Sequence, residues 1–317
     1  MPEVGCFLSC EEHGPQFVLQ TARQAEAAGF RSVLISDHYH PWTNRQGESP
    51  FVWSVIGAIA GATRLKVTTG VTCPTVRIHP AVIAQAAATS QLLLGGRFVL
   101  GLGSGEALNE HITGTRWPPA DVRLEMLEEA VGVIRDLWKG GTVDHHGHHY
   151  TVENARIYSL PPQPPPILLS GFGPKAIALA AAIGDGYVNT APDPDSVNQY
   201  REQGGRGPTV AAVKVCWAED EAAARKLAFD LWPTTGVPGA LNQELPTPTH
   251  FEQASSIVTE EMVTSKIVCG PDPERHVAIL RRYFDAGYDE VYVSQVGDEQ
   301  AGFFDFFTRE VKPRLAL

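Results

Sequence analysis

Short runs of β-branched and apolar residues alternate with stretches of helical periodicity along the chain. That alternation admits few folds, because it is the pattern of parallel strands joined by crossover helices. Residues 4–9 read as the first strand; Pro15 then opens a helix on which Val18, Ala22 and Ala25 share a face, and Gly29 closes it. Further strands are expected at 32–36, 66–70, 98–103, 167–170, 187–190, 210–216 and 290–294, eight in all. Helices are expected at 82–93, 175–183, 219–230 and 273–286. The clearest is 123–139, where Leu124, Leu127, Val131, Ile134 and Trp138 recur at helical spacing before Gly140 and Gly141. Eight strand and helix units over 317 residues, with no low-complexity linker, predict one α/β domain spanning 1–317, a single (β/α)8 TIM barrel rather than a doubly wound sheet. Residues 232–265, rich in Pro and Thr, read as an insertion between the seventh and eighth strands.

Composition removes several classes of function. With 43% hydrophobic and 19% charged residues the chain can bury a large core. The balance of 25 Lys and Arg against 36 Asp and Glu gives −11, which argues against nucleic acid or an anionic membrane as partner. Five scattered cysteines with no Cys-x-x-Cys pair suit reduced thiols; Cys6 and Cys10 read as small buried apolar residues. No apolar run approaches the ~18 residues of a membrane helix, and the first residues lack a secretory pattern, so a cytoplasmic protein is expected.

In such a barrel the chemistry gathers at the carboxyl ends of the strands. The first strand leaves into Ser9-Cys-Glu11-Glu12-His13 and the second into Ser36-Asp37-His38-Tyr39-His40-Pro41-Trp42. The fourth leaves into Gly103-Ser-Gly105-Glu106-Ala-Leu-Asn109-Glu110. Carboxylates, imidazoles and a tryptophan therefore share one mouth. The His38 imidazole suits a general base near neutrality, and Glu106, if partly desolvated beside Trp42, suits a general acid. The plainer readings are that the histidines bond within a loop and that Glu106 serves a helix dipole. Ser170-Gly171-Phe172-Gly173-Pro174-Lys175, entering a helix, offers backbone N–H groups and a cation to a phosphate; the plainer reading is an ordinary Gly-rich turn. Gly101-x-Gly-x-Gly105 lacks the spacing of a dinucleotide fingerprint. His145, His146, His148 and His149 show no carboxylate or cysteine at ligand spacing, so they read as a solvated hairpin and no metal is expected. A metal-dependent hydrolase, prompted by His38-x-His40, would need further ligands where Asn189, Cys216 and Ser294 stand.

Taken together, the run from Ser36 to Trp42, Thr69-Gly-Val-Thr-Cys-Pro74, His79-Pro-Ala-Val-Ile-Ala-Gln85 and Gly101-Leu-Gly-Ser-Gly-Glu106-Ala-Leu-Asn-Glu110 resemble the luciferase-like barrel enzymes that use the deazaflavin coenzyme F420. Within these the likeness is to the F420-dependent glucose-6-phosphate dehydrogenase group, strong from residue 5 to about 186 and weaker from 266 to 314. The resemblance implies a homodimeric dehydrogenase that passes hydride from a hydroxyl-bearing carbon to C5 of the deazaflavin. His38 would be the base, Glu106 the acid toward ring N1, Glu11 would share the base role, and Trp42 would wall the cleft. It also implies a cis peptide at Gly70-Val71 behind the ring. Coenzyme contacts are implied for Asp37, His38, Thr69, Gly70, Val71, Gly105, Glu106, Asn109, Ser170, Gly171, Phe172, Gly173 and Lys175. Substrate contacts are expected from Trp42, Asp193 and Lys266. The glucose-6-phosphate enzymes hold the sugar phosphate with basic residues in the later loops, whereas here Ala191-Pro-Asp193-Pro-Asp195 brings acids, and Gln243-Glu244 stands where another basic contact is expected. A less charged sugar or alcohol is therefore the expected substrate. The alternatives are an FMN-dependent monooxygenase of the same superfamily and a non-catalytic cofactor-binding barrel.

Overall fold

The computed structural model describes residues 2–315. The first half alternates β1 (Glu3–Leu8), α1 (Pro15–Ala27), β2 (Ser32–Ile35), α2 (Val52–Ala62), β3 (Lys66–Thr69), α3 (Pro80–Leu93), β4 (Phe98–Leu102), the short α4 (Ala107–Glu110) and α5 (Ala120–Trp138). A hairpin, β5 (Val143–His146) and β6 (Thr151–Ala155), precedes β7 (Ile167–Ser170), α6 (Pro174–Ile183), β8 (Gly186–Asn189), α7 (Pro194–Glu202), β9 (Thr209–Cys216) and α8 (Glu221–Leu231). The chain closes with α9 (Leu241–Glu244), α10 (Pro248–Ala254), α11 (Glu260–Thr264), β10 (Val268–Cys269), α12 (Pro273–Asp285), β11 (Glu290–Gln295), α13 (Gln300–Phe306) and α14 (Lys312–Leu315).

Strands pair in parallel in the order β11-β1-β2-β3-β4-β7-β8-β9, and β9 returns to β11, so the eight-stranded sheet closes on itself. The expected (β/α)8 barrel is the fold. Two-residue β10 merely extends the edge of β9. Period-2 alternation sorts each strand's side chains. Phe7, Leu34, Val99, Leu168, Val188, Val210, Ala212 and Tyr292 fill the barrel interior, while residues of the opposite phase, such as Cys6, Val33, Val67, Leu100 and Val293, pack under the helices.

Local chemistry starts the helices where the chain needs them. Pro15 and Pro80 occupy first-turn positions of α1 and α3, and Asp220 and Asp272 accept from Ala222 N and Glu274 N to cap α8 and α12. The insertion at 232–265 lies between the seventh and eighth barrel strands as expected and folds into short helical turns. Its Trp232, Val237, Val258 and Val263 form a small core with Trp42 packed against it. The histidine-rich stretch is a hairpin, as expected, and pairs antiparallel outside the barrel. All five cysteines are free and buried. Among the described residues no helix is long and apolar enough to cross a membrane.

Candidate active site

Four strand exits from the first half of the chain interlock at the mouth. Glu11, 2% exposed, accepts from Ser9 Oγ (3.0 Å) and Ser36 Oγ (2.8 Å) through Oε2, which turns Oε1 toward His38 Nδ1 at 3.3 Å. That contact is close but not aligned as a hydrogen bond, so His38 Nδ1 is a buried nitrogen facing a carboxylate with no formed bond. Trp42 lies beside it, ring centroids 5.0 Å apart, and meets Phe251 of α10 edge-on at 5.1 Å. His40 is the structural histidine of the pair: its Nδ1–H donates to Leu108 O at 2.8 Å.

Asn109 joins the second and fourth exits. Its Oδ1 accepts from Tyr39 N (2.9 Å) and His40 N (3.2 Å), and its Nδ2 donates to Glu106 Oε2 (3.3 Å). Glu106 sits at the cap position of α4 without making a side-chain cap bond, so its carboxylate is left for the cleft. Asp37 and Thr69 are turned inward. Asp37 is bound by Arg77 Nη2 (2.9 Å) and Thr72 Oγ1 (2.7 Å), and Thr69 Oγ1 pairs with the backbone of Gly101. Arg77 also reaches Glu110, whose Oε2 accepts from Arg77 N at 2.6 Å. Burial pushes the Glu110 carboxyl up, and Arg77 opposes the shift. The expected site residues did not include Arg77 or Glu110; an arginine in a loop carries no motif until its partners are seen.

The peptide between Gly70 and Val71 is cis, as the resemblance implied. Side chains are excluded from the wall next to it. A Cβ on Gly101 would collide with Thr69 O, and Gly105 holds a φ of 81° with Cys73 Sγ against it. Ser170 ends β7 and buried Gly171 follows it, while Phe172 is exposed and Gly173 caps α6. The first bond of α6 runs from Ile177 N to Gly173 O, so the N–H groups of Lys175 and Ala176 are outside the helix's own ladder. Lys175 is exposed and doubly bonded to Asp121 at 2.9 Å, which offsets the charge expected of it there.

Two of the three expected substrate residues, Asp193 and Lys266, have structural partners. Asp193 spends both oxygens capping α7, on Asp195 N (3.1 Å) and Ser196 Oγ (2.5 Å). Lys266 donates to Thr235 O (2.8 Å) within the insertion. Gln243 and Glu244 instead grip Arg123 of α5, each at 3.2 Å.

Deeper in the mouth, β9 turns Lys214 inward in phase with Val210 and Ala212. Its ammonium lies 4.0 Å over the Trp232 ring, and desolvation lowers its pKa against the pull of Glu11 and Glu12. Glu12 accepts from Trp232 Nε1 (2.8 Å) and Gly297 N (2.7 Å), and desolvation pushes its carboxyl up to about 7. Sequence reading missed Lys214, although a lysine in the inward phase of an apolar strand was a signal. A cavity of about 890 Å³ opens at the opposite end of the barrel, but its Lys66 and Glu290 neutralise each other at 2.7 Å.

Residues 2–290 match the family described as luciferase-like monooxygenase. The chain is 34% identical to the F420-dependent glucose-6-phosphate dehydrogenase of Microbacterium testaceum, covering 97% of this chain and 95% of that protein. It is also 34% identical to the F420-dependent hydroxymycolic acid dehydrogenase of Mycobacterium tuberculosis, over 98% and 88%. The solved F420-dependent secondary alcohol dehydrogenase, bound to an F420-acetone adduct, superposes with a TM-score of 0.91 at 28% identity and 99% coverage of both chains. Fold, cleft and sequence thus agree, and the chain belongs to the luciferase-like monooxygenase family.

Proposed function

We propose that this protein is an F420-dependent dehydrogenase that oxidises a neutral hydroxyl compound, with a secondary alcohol as the substrate class. The observation that carries the reading is the convergence of Glu11, His38, Trp42 and Glu106 on one mouth, cross-linked by Asn109. The residues fit the coenzyme. Close packing at Gly101 and Gly105 seats the loops beside the Gly70–Val71 peptide, and the start of α6 presents N–H groups to a phosphate-bearing tail. When bound, the coenzyme supplies the hydride acceptor at C5 of its deazaflavin.

The chain's own part is proton handling and exclusion of water. His38 takes the substrate hydroxyl proton at Nε2, while Glu11 faces Nδ1 and stabilises the imidazolium. Glu106, steadied by Asn109, would hold at its carboxyl oxygen the proton that a bound coenzyme's ring would need. Trp42 and Phe251 close the apolar side of the cleft. Substrate neutrality follows from the later loops, where Arg123 and Lys266 are engaged by Gln243, Glu244 and Thr235 O, and Asp193 and Asp195 add negative charge. A homodimer is the proposed assembly; a monomer mass by light scattering would remove it.

The test is anaerobic turnover with oxidised F420. Isopropanol should bleach the deazaflavin, and glucose 6-phosphate should be slower. Tight FMN binding with oxygen consumption, and no bleaching of F420, would favour the monooxygenase reading instead.

A further inference from the structure

One side chain of α5, Glu129, gathers four groups of the hairpin β5–β6 and the residues around its turn. Glu129 Oε1 accepts from Tyr150 N (2.9 Å) and His145 Nε2 (3.0 Å), and Oε2 accepts from His148 N (3.1 Å) and His149 N (2.9 Å). Two adjacent imidazoles are thereby fixed by their backbone against the helix. One turn earlier on the same face, Glu125 presents Oε2 to His149 Nε2 at 3.5 Å. One ligand atom from each of Glu125, His148 and His149 lies within 4.8 Å of the others. His149 Nε2 is buried and has no hydrogen-bond partner, an orphan that the protein alone does not satisfy.

We propose that Glu125, His148 and His149 form a binding site for a divalent first-row transition ion of the zinc class. Ligand atoms about 2.0–2.2 Å from a tetrahedral ion lie about 3.3–3.6 Å apart, a range that includes the 3.5 Å between Glu125 Oε2 and His149 Nε2. His148 and Glu125 are exposed and free to close the remaining gap by side-chain rotation. Two imidazoles with one carboxylate favour zinc, nickel or copper over calcium or magnesium, which prefer all-oxygen shells. Three protein ligands leave a fourth position to solvent. The bare spacing of the histidines hid this set, because the carboxylate comes from α5 and reaches them only after the hairpin folds back. Tyr150, next to His149, donates to Pro74 O (3.0 Å) and Thr75 O (3.1 Å), so a bound ion would tie α5 through the hairpin to the loop after β3.

The test is calorimetric titration of the full chain, free of a polyhistidine tag and stripped of metal, with zinc chloride near neutral pH. One equivalent should bind. Glu125→Gln and His148→Ala should each weaken binding by about tenfold or more, whereas His146→Ala, an exposed neighbour outside the set, should leave it unchanged. With cobalt as probe the spectrum should lack a thiolate charge-transfer band, which separates this site from the cysteines. Saturating zinc should raise Tm by about 4 °C at a hundredfold excess over Kd, and this rise should vanish in His148→Ala. Absence of saturable binding, or binding that survives both Glu125→Gln and His148→Ala, would overturn the proposal.

Discussion

The exits of β1 to β4 and the segments around β8 to β11 meet at one mouth but are built differently. In the first set, polar side chains are cross-linked from loop to loop: Glu11 to Ser36, Asn109 to Tyr39 N, Asp37 to Arg77, and Arg77 to Glu110. In the second, they are tied locally or within the insertion: Asp193 caps its own helix and Lys266 holds Thr235 O. The two sets also meet: Glu12 accepts from Trp232 Nε1 and Gly297 N, and Arg45 pairs with Asp230 at 3.0 Å. Trp42 meets Phe251, Gln46 Nε2 donates to Leu231 O at 3.0 Å, and Asn44 N donates to Glu252 at 2.9 Å. A cross-linked first half can fix proton-transferring groups to the tolerance that catalysis needs, while a self-contained second half can vary without disturbing them.

That contrast can be broken by substitution. His38→Ala should lower kcat by about 10²–10⁴ in anaerobic steady-state assays, with deazaflavin binding retained. If kcat is unchanged, the first half is not the chemical half. Arg77→Met should destabilise the fold by about 3–5 kcal/mol in urea unfolding, because it strands two buried carboxylates, Asp37 and Glu110. A change within about 0.5 kcal/mol would mean the cross-links do not bear on stability.

Glu12 sharpens the boundary between the halves, since it joins the β1 exit to Trp232 and Gly297. Its carboxyl is raised from the ordinary 4.5 to about 7, so between those values the unfolded chain has released a proton that the folded protein still holds. Its contribution to stability is therefore greatest below about 4.5 and falls as pH rises toward 7. Glu12→Gln should flatten that part of the stability–pH profile; an unaltered slope would refute the assignment. The smallest effect is expected from Asp193→Ala, which should cost about 0.5–2 kcal/mol as a lost helix cap and leave kcat nearly unchanged. A large loss of activity there would return Asp193 to the substrate pocket.

Much of the barrel was legible before folding. The expected first strand at 4–9 is Glu3–Leu8, and the expected fourth at 98–103 is Phe98–Leu102, because short, largely apolar runs of strand length leave little choice of where the strand lies. Helix α2 was not legible. Val-Trp-Ser-Val-Ile-Gly-Ala-Ile-Ala-Gly-Ala is apolar nearly all round and gives no periodic face to read. His38, Trp42 and Glu106 could be read because they follow strands within a few residues. Phe251 and the Arg77–Glu110 pair could not, since long-range closure alone brings them together.

The central claim, that the first-half exits form a deazaflavin-dependent proton-handling site, is tested most directly by one measurement. Wild-type protein and His38→Ala should be mixed anaerobically with oxidised F420 and isopropanol, and the deazaflavin's visible absorbance followed. The account predicts tight binding by both proteins and rapid bleaching by the wild type alone. Bleaching at equal rates, or no F420 binding by the wild type, would contradict it.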